Sequence, residues 1–277
     1  VKIDTHQHFW KYNPTEYPWM GEGMESLKRN YLPADLAPLL AAQGIDGTVA
    51  VQARQTVEES RWLLELAERN PFIKGVVGWV DLRDPKVERQ LESLSRHPKF
   101  RGVRHIVHDE PDDRFLMRRT FVDGIARLAD FRLTYDLLLL PRHLPVACEL
   151  VRLFPEQPFV LDHISKPPIK EHTLEPWAAD IRRLARFPNV SCKISGMVTE
   201  ADWKAWKPAD FKPYLDVVFE CFGAKRLMVG SDWPVCTLAA SYSQVLQIVG
   251  GYISRLSPAE QAAVWGGNAK AFYGLPD

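Results

Sequence analysis

Along this chain, short unbroken apolar runs alternate with longer segments in which apolar residues recur every three to four positions. Eight runs have strand length: Lys2 to Thr5, Gly47 to Gln52, Lys74 to Val80, Gly102 to Ile106, Leu133 to Leu139, Phe159 to Asp162, Asn189 to Ile194 and Arg226 to Gly230. Near-continuous apolar runs of this kind mark parallel strands buried on both faces. Between them lie helical patterns over Val57 to Arg69, Pro85 to Arg96, Phe121 to Ala129, Leu144 to Phe154, Trp177 to Ala185 and Tyr214 to Phe222. Their apolar positions share one face, and a helix-start proline opens the second. Strand and helix alternate to the end without a linker or a low-complexity stretch. That order predicts an α/β fold with a parallel sheet, and 277 residues suit one domain spanning 1–277 as an α/β barrel.

One connection stands out. Lys11 to Leu32 is longer than an ordinary strand-to-helix loop and holds Tyr12, Tyr17, Trp19 and Met20, which makes it a candidate lid over the first strand. Composition narrows the partners. With 35 basic and 35 acidic residues the formal charge is zero, and no basic stripe interleaved with aromatics suggests nucleic acid. No apolar run reaches the ~18 residues of a membrane span. The amino end lacks a charged-then-apolar leader pattern. Cys148, Cys192, Cys221 and Cys236 show no pair spacing, so the expectation is a cytoplasmic protein with reduced thiols and no disulfide or zinc-ribbon framework.

The chemistry collects at strand ends. Ile3-Asp4-Thr5-His6-Gln7-His8 puts two histidines two residues apart, so in a strand both point the same way and can grip one divalent metal ion. An isolated His-x-His is as often just a polar strand end. Here, however, Leu227-Met228-Val229-Gly230-Ser231-Asp232 delivers an acid at the end of the last apolar run. Gln52 and Arg54 follow the second strand, Trp79 and Asp81 the third, and Arg104 and His105 end the fourth. Asp162-His163 with Ser165-Lys166-Pro167 follows the sixth, and Lys193 sits inside the seventh. His105 and Lys193 taken singly read more readily as structural residues; the whole set is what suggests a catalytic mouth. His97, His108, His143 and His172 read as solvated.

At this point the chain resembles a known family. His6-x-His8, His163, Gly230-Ser231-Asp232-Trp233-Pro234 and the terminal Gly267-Asn268-Ala269-Lys270-Ala271-Phe272-Tyr273-Gly274-Leu275 look like the amidohydrolase superfamily, in its amidohydrolase-related branch. Arg101-Gly102-Val103-Arg104-His105 and Leu161-Asp162-His163-Ile164-Ser165-Lys166-Pro167 resemble its sugar lactonases, of the L-fuconolactonase and L-rhamnonolactonase type. The resemblance implies a distorted (β/α)8 TIM barrel with its site at the C-terminal mouth. It implies hydrolysis of an aldonolactone in carbohydrate catabolism, with Asp232 activating water. His6, His8, His163 and Asp232 would hold one divalent metal, zinc by preference. Pyrone-dicarboxylate relatives work without one, which leaves metal independence open.

His163, His105, Arg104 and Lys193 are the further catalytic candidates. Trp10, Tyr12, Gln52, Arg54, Trp79, Tyr135 and Trp233 are candidates for holding a sugar, since a polyhydroxylated ring needs flat apolar surfaces and several hydrogen bonds. The competing readings are a zinc decarboxylase of an aromatic or muconate-type acid, a pyrone-dicarboxylate-type lactonase, and a barrel that binds without turnover. Oligomeric state is left open.

Overall fold

The computed structural model describes residues 1–276. Eight parallel strands lie in chain order: β1 Ile3–Gln7, β2 Gly47–Val51, β3 Ile73–Gly78, β4 Phe100–Ile106, β5 Thr134–Leu138, β6 Phe159–Leu161, β7 Val190–Ile194 and β8 Leu227–Val229. The seam between β8 and β1 closes just beyond β8. There His8 N–H donates to the Trp233 carbonyl at 2.7 Å and Asp232 N–H to the His6 carbonyl at 2.8 Å. The result is a distorted (β/α)8 TIM barrel.

The principal helices are α1 Pro33–Gln43, α2 Val57–Arg69, α3 Val87–Ser95, α4 Arg119–Ile125, α5 Leu144–Leu153, α6 Trp177–Leu184, α7 Met197–Glu200, α8 Pro208–Phe222, α9 Tyr242–Ile253, α10 Pro258–Ala262 and α11 Asn268–Tyr273. The expected span of α2 coincides with the observed one. Helix α8 starts six residues earlier than its apolar pattern suggests, with Pro208 in the first turn and Pro213 inside the helix. A proline in the first turn gives up an N–H that has no partner there anyway. Among the described residues, no helix is long and apolar enough to cross a membrane.

Register decides which side chains fill the barrel. Ile3, Val49, Val51, Val77, Val160 and Met228 form an apolar floor with Ala269, Tyr273 and Leu275 of the carboxyl-terminal segment. Above it the inward positions turn polar: Arg104 pairs across from Asp136, and Lys193 across from Met228.

Strand β1 carries a bulge that matters. Asp4 aligns with Thr48 and Gln7 with Ala50, so Thr5 and His6 together oppose Val49 alone. One extra residue reverses the parity of the strand. Ile3 and His6 therefore both face inward, while Asp4 faces outward to the Tyr242 hydroxyl at 3.1 Å. His143 is fully buried rather than solvated, its Nδ1 accepting from the Leu140 N–H at 3.1 Å.

Candidate active site

At the centre of the mouth, Asp232 Oδ1 lies 3.3 Å from His8 Nε2, 3.8 Å from His163 Nε2 and 3.9 Å from His6 Nε2. Each group is aimed by its backbone. Asp232 adopts a left-handed conformation (φ 58°). It follows Ser231, which Asp4 clamps by accepting from both its N–H (2.8 Å) and its hydroxyl (2.6 Å). His8 Nδ1 donates to the Val51 carbonyl at 2.8 Å, which fixes the ring and aims Nε2 at Asp232.

His163 begins a run of four left-handed residues: His163 (φ 54°), Ile164 (φ 45°), Ser165 (φ 61°) and Lys166 (φ 49°). None is glycine, and such a run costs roughly 1–2 kcal/mol per residue. The surroundings hold it. Trp177 Nε1 donates to the Ile164 carbonyl at 2.7 Å, and His163 Nδ1 hydrogen-bonds Ser195 Oγ at 2.9 Å. Strain kept this close to converging polar groups is a mark of function.

Beneath these groups lies a buried charge network. Arg104 donates through Nε to Gln52 Oε1 (2.8 Å), through Nη2 to the Gln52 carbonyl (2.6 Å) and through Nη1 to Asp162 Oδ2 (3.1 Å). Lys193 Nζ lies 2.6 Å from Asp136 Oδ2 and 3.1 Å from Asp162 Oδ1. His6 sits between the two cations, its Nε2 3.2 Å from Arg104 Nη1 and its Nδ1 3.2 Å from Lys193 Nζ. Arginine and lysine can only donate, and a neutral ring offers one lone pair. Since Asp162 Oδ1 can take a proton from Nδ1, the lone pair falls on Nε2, facing Arg104, and the Lys193 contact is not a hydrogen bond. The ring proton then belongs on Nδ1, facing Asp162 Oδ1 at 3.3 Å.

Titration follows from this packing. Burial pushes His6 and His163 well below the usual histidine range, so both imidazoles are neutral. Burial opposes ionisation of Asp162, but Lys193, His6 and Arg104 outweigh it and hold the carboxyl well below its ordinary value. Asp232 is likewise held low: burial opposes the charge, and the His163 and His8 rings outweigh it. Desolvation raises Asp136 to about 6 despite Lys193.

A cavity of about 290 Å³ opens over this cluster. His8, His163, Arg104 and Asp232 line it, as does Trp10, whose Nε1 donates to the carbonyls of Leu27 and Arg29. Other sequence candidates lie elsewhere. Lys193 is fully buried in the network below, and Gln52 serves the cavity only through Arg104. His105 is stacked on Phe115 (4.7 Å between ring centres), takes a hydrogen bond from Trp79 Nε1 and donates to Glu110. Tyr135 packs between Phe121 and Phe159. Trp233 stands edge-on to Tyr31, Tyr12 packs near Tyr17, and Arg54 pairs with Glu16 of the long loop at 2.7 Å.

The alternation of strands accounts for His105 and Tyr135. Each adjoins an inward residue, Arg104 or Asp136, and so points outward. Conversely, His108, Asp109, Lys166 and Glu200 line the cavity, together with Trp19 and Met24 of the long loop. Lys166 is signalled by its place in the Asp-His-Ile-Ser-Lys-Pro segment. Glu200, on a four-residue helix, carries no sequence signal.

Among the described residues, two donor sets have ligand atoms within 4.8 Å of one another: His6, His8 and Asp232, and His6, Asp162 and His163. The 3.3 Å gap between His8 Nε2 and Asp232 Oδ1 matches an edge of a tetrahedron with bonds of about 2.0–2.1 Å. Neutral imidazoles and an ionised carboxylate are the protonation states that such a site requires. The residues therefore fit a divalent ion.

Residues 3–275 match the amidohydrolase family. The chain is 44% identical to an L-fucono-1,5-lactonase of Burkholderia multivorans over 288 aligned residues, covering 100% of this chain and 97% of that protein. It is 38% identical to an L-fucono-1,5-lactonase of Burkholderia ambifaria, covering 98% and 95%. A crystal structure of an amidohydrolase from Burkholderia multivorans with bound zinc matches with a TM-score of 0.96 at 44% identity, covering 100% of both chains.

Proposed function

The chain belongs to the amidohydrolase family, and from that premise we propose that it hydrolyses the ring ester of a sugar lactone, L-fucono-1,5-lactone or a close relative, to the open-chain acid. The observation that carries this reading is the convergence of Asp232 with three imidazoles below a small cavity, in a chain that matches two lactonases over nearly its whole length. That likeness favours ester hydrolysis over decarboxylation.

Asp232, ionised and facing the cavity, takes a proton from water as the water oxygen attacks the lactone carbonyl. Arg104, locked by Gln52 and Asp162, presents fixed positive charge to the developing oxyanion without having to reorganise. As the ring C–O bond breaks, Asp232 returns the proton to the departing ring oxygen, which leaves as a hydroxyl on the same molecule. His163, fixed by Ser195, orients the water.

His8, Asp232, His6 and His163 would hold the divalent ion that their geometry fits, zinc by analogy with the related crystal structure. When bound, it polarises the carbonyl and makes a coordinated water more acidic. Arg104 Nη1 already occupies the lone pair of His6 Nε2, so arginine and ion compete for that nitrogen.

The test is acid release from a panel of aldonolactones, with metal-stripped and zinc-reconstituted protein side by side. Wild type should turn over at least one sugar lactone. Asp232→Asn should lose ~10²–10⁴-fold in kcat with an unchanged circular dichroism spectrum. A fully active Asp232→Asn protein would remove Asp232 as the base.

A further inference from the structure

Part of the cavity wall is charged yet has no role in the chemistry above. Lys166 and Glu200 face each other there, with Nζ donating to Oε1 at 3.0 Å and each side chain about one-fifth exposed. The bond uses one of three ammonium N–H groups and one carboxylate lone pair, leaving donors and acceptors side by side. Both partners are held in place. Lys166 ends the left-handed turn pinned by Trp177, and the Glu200 carbonyl accepts from the Lys170 N–H at 3.0 Å. Nearby, His108 pairs with Asp109 at 3.2 Å. The wall thus mixes charges: Lys166 and Arg104 line the cavity together with Glu200, Asp109 and Asp232. A donor beside an acceptor suits a neutral ring bearing adjacent hydroxyls, whereas a ring carboxylate placed against the pair would face Glu200 at close range.

Resting on the lactonase reading, we infer that Lys166 and Glu200 together are the specificity-determining pair for the ring hydroxyls of a neutral polyhydroxylated lactone. The ammonium donates to one hydroxyl oxygen, and the carboxylate accepts from the hydroxyl beside it.

The experiment compares kcat/KM for a fully hydroxylated six-membered aldonolactone and for unsubstituted δ-valerolactone, which keeps the scissile ester and lacks every hydroxyl. Wild type, Glu200→Gln and Lys166→Met are measured, with thermal melts alongside. Each variant should lose ~10–100-fold on the hydroxylated lactone and change less than about threefold on δ-valerolactone. Equal losses on both substrates would make the pair structural and overturn the inference, as would no loss on either. Glu200→Gln is isosteric, so it answers the question even if Lys166→Met folds poorly. A wild type inert to both lactones would refute the lactonase reading itself. A wild type active on both, with an unchanged substrate ratio in the variants, would refute the pair alone.

Discussion

Few atoms decide the site at the residue scale, and Gly196 shows how tightly. It follows Ser195 in a left-handed conformation (φ 62°), and a Cβ there would lie 2.5 Å from His163 Nδ1. That absence of a side chain is what lets the imidazole sit against Ser195 and face Asp232. Gly196→Ala should therefore displace the ring, and a displacement of about 1 Å costs on the order of 10²-fold in rate. It should also lose ~1–2 kcal/mol of stability, because the residue is held at positive φ. Steady-state kinetics with thermal melts check both. Kinetics like those of wild type would show that His163 is not oriented from this side. The bulge at Thr5 and His6 works on the same scale: one added residue turns the histidine pair from the outside of the barrel to its axis.

At the scale of elements, the loop from β2 into α2 holds Gln52 and hence Arg104. Glu59, in the first turn of α2, accepts from the N–H groups of Ala53 (3.0 Å) and Arg54 (2.9 Å) and is buried. Desolvation outweighs those bonds and raises its pKa from 4.5 to about 7. The folded state thus binds the proton more tightly than the unfolded one. The contribution of Glu59 to stability is fully present below about 4.5 and is lost as pH rises through about 7. Raising the pH from 5 to 8 should destabilise wild type relative to Glu59→Gln by up to ~3 kcal/mol, measured by urea unfolding at each pH. A difference that does not move with pH would show that Glu59 is ionised throughout that range.

Across the whole molecule, the carboxyl-terminal segment closes the bottom of the barrel and reaches the polar layer. Tyr273 donates its hydroxyl to Asp136 Oδ2 at 2.8 Å, and its ring lies under Lys193 Nζ at 5.5 Å. Asp136, Lys193, Asp162 and Arg104 then form a continuous chain up to the mouth. Tyr273→Phe should cost ~1–3 kcal/mol, because a buried carboxylate loses a donor. The melting temperature should fall by roughly 2–4 °C per kcal/mol, with activity reduced less than about tenfold. An unchanged melting temperature would mean that Lys193 alone satisfies Asp136.

The eight strands, their parallel order, most of the flanking helices, and the strand ends that carry His6, His8, His163 and Asp232 could be read from the order of residues alone. Those features are written in local periodicity: an apolar run buried on both faces, or a repeat near 3.6 residues, is legible without knowing its neighbours. Which side of each strand meets the cavity was set by contacts between elements far apart in the chain. The bulge in β1, the left-handed turn at 163–166 and the pairing of Lys166 with Glu200 depend on groups distant in the chain. Trp177 holds Ile164, Gly196 makes room for His163, and Asp4 clamps Ser231. A one-residue change of parity or a left-handed residue leaves no periodic trace. It is stable only because packing from elsewhere in the fold offsets its local cost.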